Sequence, residues 1–231
     1  MCTDIRITVT GHSFVRHFKS FIDGDEDILN RYNEGFNLYK EGTETKFIFK
    51  SGCDINYFKK HMIPLVIQTR PHLIILELGS NDLTKADVSP SALALEIYKI
   101  SKSLVQTVTK FVLVSSITHR EATKSAMNID TYNARVDLYN QLMVLKCEND
   151  EDLIFMSHSR LKRGVDVLKP DGVHLNGRGN YLIFMSYKNS LVHAISHINR
   201  MEGCTCIDLK INQRHRKPHQ NRYEGCKIGK C

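Results

Sequence analysis

Five short apolar runs, each followed by a helical pattern, divide the first two hundred residues. Ile5–Thr10, Lys46–Lys50, His72–Leu78, Phe111–Ile117 and Leu153–Met156 have the length and the β-branched or aliphatic character of strands. The first helix begins after Ser13 and places Phe14, Val15, Phe18, Phe21 and Ile22 on one face. Asp54 caps a second helix from Ile55 toward Gln68, which Pro64 kinks or restarts. A third starts at Pro90, with Leu93, Leu95, Ile97, Ile100, Leu104 and Val108 apolar. A fourth runs from about Asp130 to Cys147, with Tyr132, Val136, Tyr139, Leu142, Met143 and Leu145 facing inward. The last opens at Asn176 or Gly177, is apolar at Leu182, Ile183, Met185, Leu191, Val192 and Ile195, and fades near Arg200. Residues 28–45 lack a clear period and read as loop, with a short strand near Asn37–Lys40. The alternation predicts an α/β fold with a mainly parallel sheet and helices on both faces. The almost uninterrupted apolar run at His72–Leu78 fits a strand covered on both sides.

In such sheets ligands bind beyond the carboxyl ends of the strands. Gly11–Ser13, Gly52 and Gly79–Asp82 each follow a predicted strand and reach that edge from independent loops. Ser13 falls at a strand-to-helix corner, where a hydroxyl is exposed and neighbouring backbone N–H groups can stabilise a developing anion. The same position also suits an ordinary helix-capping serine.

Hydrolysis by serine needs a nucleophile, a base, a group that orients the base, and donors aimed at the tetrahedral oxyanion. The chain offers Ser13 as nucleophile, His174 as base, and Asp171, three residues earlier, to hold and stabilise the imidazole. The Ser13 and Gly52 backbone N–H groups and the Asn81 side chain can form the oxyanion hole. His61, His72, His119 and His158 read as surface or supporting histidines, Asp82 as the residue that holds the loop bearing Asn81, and Ser80 as a residue that shapes that loop.

With these residues in order, the sequence resembles the SGNH hydrolases, or GDSL-like esterases and lipases, over about residues 1–200. The family's four blocks are matched by Gly11-His12-Ser13-Phe14, the Gly52 turn, Gly79-Ser80-Asn81-Asp82 and Asp171-Gly172-Val173-His174. Gly11–Arg16 and Glu77–Asp82 further resemble the esterase-like domains of invertebrate and retrotransposon-encoded proteins. The resemblance implies a flavodoxin-like three-layer α/β/α sandwich on a central five-stranded sheet. It also implies hydrolysis of an acyl ester without metal or cofactor. One departure stands at His12, where the family usually carries Asp.

The division expected is a domain over 1–202 and a basic tail over 203–231. The tail holds seven Lys and Arg against two Asp and Glu, within a chain of net charge +7. It reads as a solvated segment, as an arm contacting nucleic-acid phosphates, or as a zinc site built from Cys204, Cys206, His215, His219, Cys226 and Cys231. Seven cysteines with no signal peptide or apolar membrane span predict mostly reduced thiols and a cytoplasmic protein. Two function classes follow: an ester hydrolase, and a binding module on the same scaffold that meets an anionic partner through its tail.

Overall fold

The computed structural model describes residues 5–24, 43–123, 125–161 and 164–201. The short strand expected near Asn37–Lys40 and the whole basic tail lie outside these residues. In chain order the elements are β1 (Ile5–Gly11), α1 (Ser13–Gly24), β2 (Thr43–Phe49), the helical segment α2 (residues 55–68), β3 (Leu73–Glu77), α3 (Pro90–Thr107), β4 (Phe111–Ser115), α4 (Ile129–Cys147), β5 (Leu153–Met156) and α5 (Gly177–Met201). The five strands are all parallel, in the order β2-β1-β3-β4-β5. This is the doubly wound flavodoxin-like order, whose direction of winding reverses between β1 and β3.

Two apolar layers close the sheet. On one face α1 and α5 bring Phe14, Val15, Phe18, Ile22, Phe184, Tyr187 and Leu191 onto Ile7, Val9, Leu73, Ile75 and Leu113. On the other, α2, α3 and α4 pack Phe58, Val66, Leu93, Ile97, Tyr132, Val136 and Tyr139 on Ile74, Leu76, Val112 and Val114. Successive residues of β3 and β4 therefore enter opposite layers, as the two-residue period of a strand requires.

Several boundaries and faces differ from the sequence reading. Residues 43–45, read as loop, belong to β2. This edge strand is paired on one side only, so Thr43-Glu44-Thr45-Lys46 need not be apolar to remain in the sheet. Leu95 and Leu145, expected to face inward, are exposed at 42% and 61%. Each lies two positions beyond a buried residue, Leu93 or Met143, which rotates it about 200° around the helix. In α2, residues Phe58–Met62 form a π turn ahead of Pro64, and the α-helix resumes at Ile63–Gln68. Pro64 has no N–H to continue the regular ladder, and the wider turn accommodates it. No helix among the described residues is long and apolar enough to cross a membrane.

Beneath the carboxyl edge of the sheet lies a buried polar group. Glu77, at the end of β3, is 4% exposed and accepts a 2.6 Å hydrogen bond from the Tyr187 hydroxyl. Burial pushes its carboxyl up from an ordinary 4.5 to about 7, against the hydrogen bonds from Ser115 and Tyr187. The unfolded chain releases this proton first as pH rises, so its stabilising effect is lost between about pH 4.5 and 7. The size of that loss is about 3 kcal/mol. Glu77→Gln does not titrate and keeps an acceptor for Tyr187. Denaturant melts at pH 4.5 and 7.5 are expected to show the variant gaining on wild type at the higher pH, and a difference that does not change with pH would remove Glu77 as the cause.

Candidate active site

The site forms where loops after β1, β2, β3 and β4 and the turn before α5 meet above the sheet. At the first corner, Gly11 has φ 152°, and a Cβ there would lie 1.9 Å from the Glu77 carbonyl oxygen. Only glycine lets β1 end against β3 in this way. His12 follows, buried at 1% exposure, and its Nδ1 accepts the Phe14 N–H at 3.3 Å. The imidazole thus serves the N-terminus of α1, a role the sequence left open for Ser13. Because Nδ1 is the acceptor, Nε2 carries the proton and donates to Ser80 Oγ at 2.9 Å. Burial, followed by the charges of Arg120 and His174, lowers His12 to about 3, so the ring is neutral.

With the cap supplied by His12, the Ser13 hydroxyl is turned to a different partner. It lies 3.0 Å from His174 Nε2. His174 Nδ1 lies 2.6 Å from Asp171 Oδ2, and Asp171 Oδ1 accepts the backbone N–H groups of Val173 and His174, each at 2.9 Å. Burial raises the Asp171 carboxyl, but the hydrogen bonds from the His174 ring and from the two backbone groups outweigh it and hold it well below the usual range. An ionised Asp171 fixes the proton on Nδ1, which leaves Nε2 as the acceptor of the serine O–H.

The turn carrying both residues is held from two sides. Leu168 bridges Leu175, and the Lys169 N–H donates to the His174 carbonyl at 2.7 Å. The Gly172 carbonyl accepts from the backbone of Glu121 and Ala122. Gly172 has φ 64°, and a Cβ would come 2.9 Å from Ala122. The loop after β4 is thereby fastened to the Asp171–His174 turn.

Asn81 and Gly52 line the same cleft as Ser13 and His174, a space of about 380 Å³. One Asn81 amide hydrogen goes to the Cys53 carbonyl at 3.0 Å, which orients the group; the second has no partner among the described residues. Asp82 accepts the Ile55 N–H at 3.2 and 3.3 Å, so it joins the Asn81 loop to the start of α2. Ser80, expected only to shape the loop, is a buried node that also accepts from Arg120 Nη2 at 3.0 Å.

Of the five residues singled out from sequence, Ser13, Gly52, Asn81 and His174 therefore line one cleft, and Asp171 joins it through its contact with His174. The other histidines do not. His72 Nδ1 accepts the Arg6 N–H, His119 pairs with Asp137, and His61 lies beside the Tyr57 ring. His158 is buried between Ser115 and Ser186, and burial lowers it to about 4.

Two neighbours were missed. The His17 ring packs 4.4 Å from that of His174, and burial, with the charges of His174, Lys169 and Arg16, lowers it to about 4. Its place four residues after Ser13, on the same helix face, was a readable signal. Arg120 also lines the cleft, and no spacing in the sequence announces it.

No family model and no curated protein matches the sequence. Solved structures do match. An acetylxylan esterase, Axe2 from Geobacillus stearothermophilus, is 13% identical, with a TM-score of 0.62 over 81% of this chain and 94% of that one. A GDSL-like lipase from Bacteroides thetaiotaomicron is 16% identical, with a TM-score of 0.64 over 83% and 89%. That structure and two others of Axe2 are of catalytic mutants, in which an aspartate, a serine and a histidine three positions after that aspartate are replaced. At these identities the likeness is one of fold. The five-stranded parallel sheet, its flanking helices and these neighbours together give the chain the fold of the GDSL-like esterases and lipases of the SGNH hydrolase superfamily.

Proposed function

We propose that the protein hydrolyses carboxylic acyl esters with Ser13 as nucleophile. The observation that carries this reading is the continuous chain Asp171–His174–Ser13, at 2.6 and 3.0 Å. His174 Nε2 takes the hydroxyl proton as Ser13 Oγ attacks the ester carbonyl carbon. The negative charge on the former carbonyl oxygen meets the Ser13 and Gly52 backbone N–H groups and the Asn81 amide. Collapse of the tetrahedral intermediate expels the alcohol, which receives the proton from His174. Water then attacks the acyl-serine with His174 again as base, giving the free acid and restoring Ser13.

The start of α1 adds its positive end beside Ser13, which favours the oxyanion further. The esterase and lipase activities named for the fold neighbours support the same chemistry. Labelling with a fluorophosphonate probe, followed by peptide mass spectrometry, tests it. The expected result is an adduct on Ser13 in wild type, formed by displacement of fluoride, and none in Ser13→Ala. No adduct on a folded wild-type protein would remove the claim of an activated serine.

A further inference from the structure

The cleft above Ser13 carries two cationic side chains, Arg16 and Arg120, and no carboxylate among its lining residues. Arg120 is the unusual one, because it is 6% exposed. Its backbone is clamped by Asn133, whose Oδ1 accepts the Arg120 N–H at 3.0 Å and whose Nδ2 donates to the Arg120 carbonyl at 2.9 Å. Its guanidinium lies 4.8 Å above the Tyr132 ring, and Nη2 donates to Ser80 Oγ. Nε is buried without a partner, and among the described residues no carboxylate pairs with this group. Nη1 has no partner there either and is the guanidinium nitrogen left accessible.

A buried guanidinium without an anion is costly, and a neutral hydroxyl with an aromatic face offsets only part of that cost. The groups around it do not supply the missing charge. Ser80 and Tyr132 are neutral, His12 on the far side of Ser80 is an uncharged imidazole, and Asp171 is engaged with His174. Beyond the arginines and the site residues, the lining side chains are Ser51, Thr84, Ser125 and Val173; Val173 is the one aliphatic among them, which leaves a long acyl chain little to pack against.

Resting on the ester-hydrolase reading, we infer that Arg120, aided by Arg16, selects esters that carry a carboxylate or phosphate group close to a short acyl function. A planar guanidinium whose backbone and one nitrogen are already fixed is well suited to bind such an anion.

The test compares esters that differ only in that charge. 4-Acetoxybenzoate and 4-acetoxybenzamide place it on the alcohol side, and monomethyl glutarate and its neutral isostere methyl 4-carbamoylbutanoate place it on the acyl side. For at least one pair, wild-type kcat/KM is expected to favour the anion roughly 10- to 100-fold. The preference should shrink with added salt. In Arg120→Met the ratio should fall to near one, and in the exposed Arg16→Gln it should fall in part. Equal kcat/KM within both pairs for the wild type would overturn the inference, whether or not the Arg120 variant folds. A ratio that survives in a folded Arg120→Met would overturn it equally. Fluorophosphonate labelling of Ser13 separates the two levels. Labelling without anion preference removes this inference alone, and absence of both labelling and hydrolysis removes the reading beneath it as well.

Discussion

Ser13→Ala is expected to lower turnover of a short acyl ester by roughly 10⁵-fold, with the fold and its melting temperature nearly unchanged. Of the hydroxyls that line the cleft, that of Ser13 lies 3.0 Å from His174 Nε2, the proposed base that takes its proton as the oxygen attacks. His174→Ala should cost about as much, because a hydroxyl without its base is a poor nucleophile at neutral pH. The double variant should lose little more than either single one, since the two groups act in one step. Asp171→Asn should cost about 10⁴-fold through a different cause. The amide can place a donor against Nδ1, which reverses the ring tautomer and turns the protonated Nε2 toward Ser13. Steady-state rates on a chromogenic acetate, for all four proteins, check this pattern. Additive losses in the double variant would mean that Ser13 and His174 do not work as a unit.

Gly11→Ala should be among the most destabilising single changes in the chain, by about 3 kcal/mol or more. The added Cβ would lie 1.9 Å from the Glu77 carbonyl oxygen and 2.7 Å from its carbon, both backbone atoms of the adjoining strand. Neither can yield without parting β1 from β3, where the Gly11–Glu77 pair ends the ladder and the His12 N–H donates to that same carbonyl. The change would also displace Ser13, so activity should fall in whatever fraction remains folded. Gly52→Ala serves as the contrast. Gly52 also has positive φ, at 74°, yet nothing lies within 4 Å of a Cβ there. Its cost should be the backbone term alone, about 1 kcal/mol. Urea denaturation of both variants measures the difference, and equal losses would show that backbone conformation, not the close approach of β1 to β3, governs Gly11.

The alternation of apolar runs with helical patterns was sufficient for the fold class, because burial on both faces forces β3 and β4 to be apolar up to their last residues, Glu77 and Ser115. Ser13, Gly52, Asn81, Asp171 and His174 were legible as well. Ser13, Gly52 and Asn81 each follow a strand, and a parallel sheet collects such positions at one edge; Asp171 and His174 were readable from their chemistry and their match to the family's last block. What local pattern could not convey was which group takes which partner. Ser13 was readable as a cap until His12 was seen to hold that role, and Ser80 looked like filler until it joined His12 to Arg120. The layers and the strand-to-loop junctions could be read from the chain alone, since they follow from periodicity; the proposed reacting set was offered by side-chain chemistry at chain turns together with the resemblance to the four SGNH blocks. The neutrality of His12, the packing of His17 against His174 and the placing of Arg120 with no paired carboxylate among the described residues came from the three-dimensional arrangement. Those depend on burial and on contacts between residues far apart in the chain, such as His12 with Ser80 and Ser80 with Arg120, and no spacing rule along one strand or helix encodes them.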